Sequence, residues 1–442
     1  MTIDSHRGDE VLAAARKAGV ELIHLQFTDV PGALKNMTIP RGRLERALDA
    51  GVWFDGSSIE GMARVAERDL YLRPDPTTFA IVPWESRPTA RLICDVAVRD
   101  GTPFRADPRA VLRASLDRAS DAGFKYRVAS EVEFFVLEAN GTTDVLPVDR
   151  SGYFEMHGSR AMTLCSAVVE ALGSFGIPVD ATHHEVGPGQ YEIDVGEQDA
   201  LSAADALVTL KQALRALAQR HDMRVSFMPK PLESVSGSGL HVAQVLTDVG
   251  GSSAFLDVGQ PYSLSSVATH FIAGQLAHAR GMCAILAPLV NSYKRLGAGA
   301  EAPARITWAR VNRGALLRVP EDSGGHTSRL ELRAPDPSCN PYLALAAMLG
   351  AGLDGVERRL PLPEPTEQDE REAADADVAE QIASPLPATL GEALEELEWD
   401  QVTRDALGQA VIEVFLAAKE SEWLAYTRHI SRWEYERYLE SA

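Results

Sequence analysis

The stretch EVEFFVLE, residues 131–138, predicts a strand and the chemistry on its surface. Its valines and phenylalanines favour a strand over a helix. Because side chains two positions apart in a strand point to the same face, Glu131 and Glu133 share one face, while Val132 and Phe134 share the other. Two neighbouring carboxylates repel each other. The stretch therefore indicates a cation held on the strand.

The composition bounds the class of protein. The chain has 442 residues, of which 45% are hydrophobic and 24% charged, as in a globular protein of two or three domains. Its net charge of −20 argues against nucleic acid or an anionic membrane as a partner, since both require a basic face. Anionic substrates remain possible, because a few arginines can dominate the local field.

Neither a disulfide framework nor a targeting segment is indicated. The four cysteines have no CxxC spacing, which also argues against a zinc cluster. The first ten residues contain no apolar signal region. The longest apolar stretch, 264–288, contains histidines and an arginine and reads as a buried helix rather than a membrane span. We expect a soluble, cytoplasmic protein.

A helix start marks the predicted boundary between two domains. Asp107 is a good N-cap and Pro108 fits the first helical position, so we divide the chain into residues 1–105 and 106–442. The remaining pattern predicts a mixture of strands and helices, with strands at 21–30, 90–98 and 127–138 and helices at 159–175, 202–222, 263–286 and 341–358. The proline-rich, acidic segment 360–388 reads as a surface excursion.

Three further stretches repeat the acidic pattern of the opening strand. HHEVGPGQYEIDV (183–195) presents Glu185 and Glu192, SGSGLHVAQV (236–245) presents His241, and RLELRAPD (329–336) presents Glu331. A single glutamate on a strand is usually solvated or ion-paired. Several on successive strands favour a shared site, and five carboxylates with one imidazole suit Mg²⁺ or Mn²⁺.

The charge of such a site indicates its substrates. Two divalent ions would not fully neutralise five carboxylates, so anionic substrates require arginines. The chain supplies them in the motifs that contain Arg295, Arg313, Arg318, Arg329 and Arg333. Metals combined with an arginine clamp are typical of phosphoryl transfer. The sequence contains neither a GxxxxGK[ST] loop nor a GxGxxG fingerprint, so a nucleotide would be held in another way.

The chain resembles the bacterial type I glutamine synthetase family. The resemblance is carried in family order by FDGSSIEG (54–61), EVEFFVLE (131–138), HHEVGPGQYEID (183–194), MPKP (228–231), GSGLH (237–241), NSYKRL (291–296), EAP (301–303), NRGALLR (312–318) and RLELRAPDPSCNPYLA (329–344). The C-terminal WEYERYL (433–439) resembles the shorter subtype, and the tyrosine that other members have adenylylated is absent.

The resemblance implies an α+β fold and an assembly. The fold has an N-terminal β-grasp domain and a C-terminal catalytic domain with a half-open antiparallel β-barrel flanked by helices. The assembly is a homo-oligomer, typically a dodecamer of two hexameric rings. Its active sites lie between subunits, and the FDGSS loop of one chain completes the barrel of its neighbour.

The resemblance also assigns roles to residues of this sequence. One metal would be held by Glu133, Glu185 and Glu192, and the second by Glu131, His241 and Glu331. Glutamate and the transferred phosphate would be bound by Arg295 near Gly237, and by Arg313 and Arg333. ATP would contact Arg318, Arg329 and Asp180. Asp55 would be the base that deprotonates ammonium, with Ser58 and Tyr153 nearby. Glu301 would lie on a flap that closes over the glutamate.

These roles imply an ATP-dependent ligase. Phosphate transfer from ATP would convert the γ-carboxylate of glutamate into γ-glutamyl phosphate, an activated acyl donor. Asp55 would then free the lone pair of ammonia by taking a proton from ammonium. The flap would exclude water, which would otherwise hydrolyse the acyl phosphate.

Departures from the family leave three other functions open. Ala298 and Ala300 stand in the flap where proline and tyrosine are common, which would make room for a polyamine, ethanolamine or another monoamine in place of ammonia. Ala243 and Val245, on the face of His241, replace polar nucleotide contacts, which would suit a non-catalytic glutamate sensor. A phosphagen-type kinase would share the barrel, but would have no reason to keep Asp55.

Overall fold

The computed structural model describes residues 5–59, 69–139, 146–155, 159–296, 302–321, 329–367 and 383–441. The N-terminal part forms one sheet with two helices packed near it. Its elements are α1 (Ser5–Lys17), β1 (Leu22–Thr28), β2 (Leu34–Pro40), α2 (Leu44–Ala50), β3 (Val52–Asp55), β4 (Asp69–Pro74), β5 (Ala80–Ile81) and β6 (Thr89–Ala97).

The first sheet has the strand order β2-β1-β6-β4-β3, with β5 also paired to β6. The two central strands, β1 and β6, are parallel, and Leu22 faces Thr89 at the start of their pairing. The other pairs in this sheet are antiparallel. Both central strands are almost fully buried, so they form the core of this part of the molecule.

The rest of the chain surrounds a second, larger sheet. Its elements are α3 (Pro108–Asp121), β7 (Phe124–Glu138), α4 (Arg160–Ser174), β8 (Val179–His184), β9 (Gln190–Asp199), α5 (Ala200–Arg220), β10 (Met223–Ser226), β11 (Leu240–Asp248), α6 (Ser266–Ala277), α7 (Ala279–Leu286), β12 (Trp308–Ala309), β13 (Leu317–Arg318), β14 (Leu330–Leu332), α8 (Pro341–Arg358), α9 (Leu390–Trp399), α10 (Gln401–Leu407), α11 (Gln409–Arg428) and α12 (Arg432–Tyr438).

The second sheet has the order β12-β13-β14-β11-β7-β9-β8, with β10 also paired to β7. All of these pairs are antiparallel except β12 with β13. The opening stretch lies in the long central strand β7, where Val132 and Phe134 are fully buried and Glu131 and Glu133 are partly exposed. The predicted alternation of the two faces is therefore present.

Local signals in the sequence account for several boundaries. Asp107 caps α3, and its carboxylate accepts a hydrogen bond from the backbone N–H of Arg109 at 3.2 Å. Its other oxygen accepts the N–H of Val96 at 2.9 Å, which attaches the helix to β6. The predicted strand 127–138 and helix 341–358 correspond to β7 and α8.

Two predicted elements differ from the structure. The helix expected over 263–286 begins at Ser266 and is divided into α6 and α7 at His278, which leaves helical geometry with φ −102° and ψ 9°. The imidazole of His278 lies between Asp354 and Asp400, at 3.0 and 2.8 Å. The strands expected around 305–319 are only two residues long each, because the chain between them turns through a loop.

The segment 360–388, predicted to lie on the surface, is hydrogen-bonded to the chain around β12 at both of its described ends. Its residues 368–382 lie outside the described residues. Before them, the N–H of Thr366 donates to the carbonyl of Trp308 at 2.9 Å. After them, the carbonyl of Ser384 accepts from the N–H of Ile306, also at 2.9 Å. The described flanks therefore pack on the chain around β12.

A buried arginine connects the first sheet to the helices α3 and α5. The guanidinium of Arg109, at the start of α3, binds Asp75 and Asp95 beside β4 and β6 at 2.8 and 2.6 Å. It also binds Asp205 of α5 at 2.9 Å. Within the described ranges, no helix is both long and apolar enough to cross a membrane.

Candidate active site

The register of the second sheet places the acidic side chains in two adjacent rows. In one row, His183 of β8 faces Glu192 of β9, which faces Glu133 of β7. In the next row, Glu131 of β7 faces His241 of β11. Residues that face each other across strands have neighbouring side chains, so residues far apart in the chain form one polar surface.

Two groups on this surface have metal-binding geometry. The first contains Glu131, Glu192 and His241, and the second contains His183, Glu185 and Glu192, with the ligand atoms of each group within 4.8 Å of one another. His241 Nδ1 lies 3.0 Å from Glu131 Oε2, and its Nε2 lies 3.9 Å from Glu133 Oε1. Glu192 belongs to both groups and therefore lies at the centre.

Glu331 lies at the side of the cluster nearest to the arginines. Its carboxylate binds Arg333 Nη1 at 2.5 Å and Arg318 Nη1 at 3.1 Å. It also lies 4.0 Å from His241 Nδ1. One carboxylate thus joins the metal-binding groups to two guanidinium groups, in an arrangement suited to a phosphate that contacts both cations and arginines.

The pKa values show where negative charge is concentrated. Burial, together with the neighbouring charges of Glu133, Glu131 and Asp194, raises the pKa of Glu192 to about 8, against the lowering effect of its hydrogen bond with His183. A hydrogen bond to Glu192 raises the pKa of His183 to about 9. A divalent cation would relieve this repulsion, and carboxylate with imidazole is a donor set that fits Mg²⁺ or Mn²⁺.

Glu133 is held by donors from two segments. Gln190 Nε2 donates to Glu133 Oε2 at 2.9 Å and to the carbonyl of Gly237 at 3.2 Å. The N–H of Gly239 donates to the same Glu133 oxygen at 3.0 Å. The glycine loop before β11 is therefore attached directly to a predicted metal ligand.

Arg295 packs beneath that loop. It is 4% exposed, and its guanidinium donates to the carbonyls of Arg333, Ala334 and Pro335 at 3.0 to 3.1 Å. A Cβ atom on Gly239 would lie 2.6 Å from Arg295 Nη2 and 3.0 Å from His241 Nε2. Only glycine permits this approach of backbone, arginine and histidine.

The predicted ammonium residues lie in different parts of the chain. Tyr153 is beside the cluster, with its ring 5.7 Å from that of His183. Asp55 ends β3 in the first sheet, is exposed, and accepts a hydrogen bond from the N–H of Ser57 at 2.9 Å. Ser58 follows in the same turn. Glu301 lies outside the described residues.

The remaining predicted contacts lie on several other segments. Arg313 is exposed in the loop between β12 and β13, and Arg329 is exposed immediately before β14. Asp180 is exposed on β8. Ala243 of β11 faces Glu331 of β14 directly. The altered flap positions Ala298 and Ala300 lie outside the described residues.

Comparison with known proteins decides the family. The family model "Glutamine synthetase, catalytic domain" matches residues 105–438, and "Glutamine synthetase, beta-Grasp domain" matches residues 19–98. The chain belongs to the glutamine synthetase family. It is therefore an ATP-dependent ligase that acts on small-molecule substrates, and divalent metals are general to the family.

Relatives in the glutamine synthetase family match over nearly the whole chain. The glutamine synthetase of Thermus thermophilus is 44% identical over 97% of this chain and 98% of its own length. That of Halobacterium salinarum is 43% identical over 97% and 96%. A solved GmaS/ADP complex is 30% identical, with a TM-score of 0.89 over 97% of this chain and 99% of its own.

The glutamine synthetase fold confirms the predicted class and adds residues that the sequence analysis missed. The α+β class, with a β-grasp part and a curled antiparallel sheet, is confirmed. His183, Gln190 and Asp194 were not predicted as site residues. Each lies two positions from a predicted ligand, Glu185 or Glu192, so the alternation of a strand could have indicated them.

Proposed function

We propose that this enzyme forms glutamine from glutamate, ammonia and ATP through γ-glutamyl phosphate. The observation that carries the proposal is the single polar surface of the second sheet, where metal-binding carboxylates meet Arg318 and Arg333 through Glu331. This combination suits the transfer of a phosphate group between two anions. Identities of 43% and 44% to glutamine synthetases support the same reaction.

The metal site would be formed by carboxylates and one imidazole. In our proposal Glu133, Glu185 and Glu192 hold one ion, and Glu131, His241 and Glu331 hold another. Bound Mg²⁺ or Mn²⁺ would neutralise phosphate charge and polarise the transferred group. The side chain of His183, which lies 3.1 Å from Glu192 and 3.5 Å from Glu185, would then orient two of these ligands.

The arginines would bind the substrates. Arg295 and Gly237 would hold the α-carboxylate of glutamate, while Arg313 and Arg333 would hold its γ-carboxylate and the phosphate in transfer. Arg318, Arg329 and Asp180 would contact ATP. The likeness to a GmaS structure in complex with ADP supports nucleotide binding in this fold.

The second step requires a base and exclusion of water. Asp55 would bind ammonium and take a proton, with Ser58 and Tyr153 beside it, and Glu301 would lie on the closing flap. Because Asp55 lies on the first sheet, it would reach the polar surface of a neighbouring subunit in a dodecamer of two rings. The division into units 1–105 and 106–442 and a location in the cytoplasm belong to the same proposal.

The test is phosphate release from ATP by purified protein with glutamate and either ammonium, methylamine, ethanolamine, putrescine or spermidine. We expect the highest kcat/KM with ammonium, with glutamine as the product identified by mass spectrometry. The matched control is Glu192→Gln, which should release no phosphate with any amine. Absence of glutamine with both Mg²⁺ and Mn²⁺ would refute the proposal.

A second candidate is a γ-glutamyl-amine ligase. It is favoured by Ala298 and Ala300 in the flap and by Ala243, whose small side chain faces Glu331. Higher kcat/KM with an organic amine than with ammonium would establish it. The glutamine synthetase relatives, at 41–44% identity, support ammonia more strongly than the 30% identical GmaS structure supports another amine.

A further inference from the structure

A large cavity lies between the two sheets, apart from the polar surface. Its volume is about 1160 Å³, and its walls come from β4, β6, α3, the start of α5 and the chain after α4. Among the described residues, none of the predicted site residues lines it. The cavity therefore has no part in the proposed reaction.

Arg91 of β6 is the unusual residue in its wall. The side chain is buried, with 5% of the residue exposed, and its guanidinium carbon lies 4.9 Å from the centre of the Phe175 ring. Its Nε and Nη1 atoms have no hydrogen-bond partner in the described part of the chain. A buried guanidinium is normally hydrogen-bonded, because loss of hydration is costly for a charged group.

The carboxylates of the cavity are bound by other groups. Asp205 accepts hydrogen bonds from Arg109 at 2.9 and 3.1 Å and from the hydroxyl of Tyr342 at 2.6 Å. Asp75 and Asp95 bind Arg109 as well. In the described part of the chain, the hydrogen bonds of these acids therefore come from other groups than Arg91, although the negative charge of Asp205 still acts to raise the pKa of Arg91.

Three further aspartates line the cavity. Asp100 and Asp199 accept backbone N–H groups of Thr102 and Ser202, at 2.9 and 3.1 Å. Asp117 is exposed to solvent. In the part of the chain that the structure describes, Arg91 is thus a buried cation of this wall with no carboxylate bonded to it. Burial lowers its pKa to about 10, which still leaves it charged at neutral pH.

We propose that this cavity is a binding site for a small organic anion, whose carboxylate or phosphate head group pairs with Arg91. Planar guanidinium groups recognise both oxyanions. Phe79, Ile93 and Ile177 line the same cavity and would contact the apolar part of such a ligand. Arg73, also in the wall, adds a second positive charge.

The site lies on the same sheet as Asp55, but Arg91 and Asp55 are toward opposite ends of it. Arg91 lies on β6, β6 pairs with β4, and β4 pairs with β3, which ends at Asp55. A ligand bound across β4 and β6 would therefore restrict the sheet that carries the proposed base. This regulatory consequence rests on the proposed function, whereas binding at Arg91 does not.

The experiment measures the binding of sulfate and of succinate to the intact protein, by calorimetry and by the shift in melting temperature. Chloride at the same ionic strength is the reference condition. Sulfate represents the phosphate head group and succinate the carboxylate. We expect Arg91→Met to weaken binding of at least one probe by about tenfold or more, as for loss of a charged hydrogen bond. Arg91→Lys should keep part of the affinity. The control Arg127→Met removes an exposed arginine that pairs with Glu197 on the second sheet.

Equal affinities in wild type and Arg91→Met would overturn the proposal. If that variant does not fold, the test is a crystal structure of the wild-type protein soaked in bromide. We expect an anomalous peak of bromide beside Arg91. A peak only elsewhere, or a carboxylate of a neighbouring subunit bound to Arg91, would also overturn it. The regulatory consequence is tested separately, by measuring the KM for ammonium with and without succinate. An unchanged KM would contradict the regulatory consequence but not the binding of an anion at Arg91.

Discussion

At the scale of single residues, Gly239 is a position in the candidate site where a larger side chain would meet three site residues at once. Gly239→Ala would place a Cβ atom 2.6 Å from Arg295 Nη2, 3.0 Å from His241 Nε2 and 3.3 Å from Glu133 Oε1. We expect kcat/KM to fall by on the order of 10²-fold, because small displacements of catalytic groups have effects of this size. Steady-state kinetics, with circular dichroism as a check of folding, measures this.

The matched control is Gly173→Ala in α4, where a new Cβ atom would meet nothing within 4 Å. Alanine is favoured over glycine in a helix by about 1 kcal/mol, so this variant should be as active as wild type and slightly more stable. Activity of Gly239→Ala within twofold of wild type would show that the loop can move aside.

Gln190 is expected to position Glu133 and the glycine loop together. Gln190→Met keeps a similar volume but removes the donors to Glu133 and to the carbonyl of Gly237. We expect the KM for glutamate and the Mg²⁺ concentration for half-maximal activity to rise together, each by about tenfold, which corresponds to one charged hydrogen bond. Titration of each substrate and of the metal provides the measurement.

A second buried glutamine serves as the control for that variant. Gln244 is also fully buried, but it bonds to Tyr126 and Gln275 away from the polar surface. Gln244→Met should lower the melting temperature while leaving both titrations unchanged. If the two variants altered KM equally, general destabilisation would explain the effect of Gln190→Met.

Individual site residues could be predicted from the sequence only in part. Glu131 and Glu133 are recognisable because alternation within one strand is a local property. That Glu192 lies between Glu133 and His183 depends on the register of three strands, which is set by turns and packing far from those residues. Alternation could have indicated that Gln190 shares a face with Glu192, but its contact with Glu133 depends on the same register.

At the scale of elements, residues 363–367 brace the loop that carries Arg313. The carboxylate of Glu367 accepts the N–H groups of Arg310 and Val311 at 2.9 to 3.2 Å, and Asn312 donates to the carbonyl of Thr366 at 3.1 Å. We expect Glu367→Ala to lower kcat/KM for glutamate about tenfold, since the loop loses charge-assisted hydrogen bonds. Initial-rate kinetics measures this.

Glu364→Ala, in the same segment, is the control and should behave as wild type in kinetics. An unchanged kcat/KM in Glu367→Ala would mean that Arg313 is held by other contacts, or that it does not act on glutamate.

The junction of α6 and α7 predicts a pH dependence of stability. Burial disfavours the charged form of His278, but hydrogen bonds to Asp400 and Asp354 raise its pKa above the ordinary value of 6.5. The stabilisation is complete below pH 6.5 and is lost as the pH rises through the folded-state pKa. The difference in free energy of unfolding between wild type and His278→Gln should therefore shrink from neutral to alkaline pH, as measured by urea denaturation.

The matched control for this pH series is His270→Gln, since His270 binds the carbonyl of Leu360 and no carboxylate among the described residues. Its difference from wild type should vary less with pH. A constant difference for His278→Gln between pH 6 and 9 would contradict the assignment of a charged imidazole.

Some helix and strand boundaries depend only on neighbouring residues in the sequence, whereas others depend on distant ones. The start of α3 was predictable because Asp107 and Pro108 are adjacent in the chain. The break at His278 was not, because its partners Asp354 and Asp400 lie 76 and 122 residues away along the sequence. Similarly, the short strands β12 and β13 have too few residues for any periodicity.

At the scale of the whole molecule, the proposed shared site predicts complementation between inactive subunits. Asp55→Asn and Glu331→Gln should each be inactive as pure assemblies. If a site combines Asp55 of one subunit with Glu331 of its neighbour, equal co-expression restores about a quarter of the sites, because random pairing joins two intact partners with that frequency. Phosphate release by the mixed assembly, purified through two different tags, measures this.

No recovered activity in the mixed assembly would place Asp55 in the site of its own subunit or outside the site. A mixture of Asp55→Asn with Asp55→Ala is the control and must remain inactive. Mass photometry of the same samples gives the number of subunits. Trp433, Tyr435 and Leu439 of the C-terminal region are exposed and would offer apolar surface to the proposed assembly.

The three ion pairs of Arg109 have a consequence for protein engineering. Two of its partners belong to the N-terminal part, Asp95 in β6 and Asp75 directly after β4, whereas Asp205 belongs to α5. A chimera that took its first sheet from another member of the family would leave the buried Arg109 without two of its partners unless aspartates at the positions of Asp75 and Asp95 came with that sheet. The N-terminal part therefore cannot be exchanged independently of α3 and α5. An exchange of segments intended to alter the preference for an amine should leave these ion pairs intact and replace only segments of the second sheet.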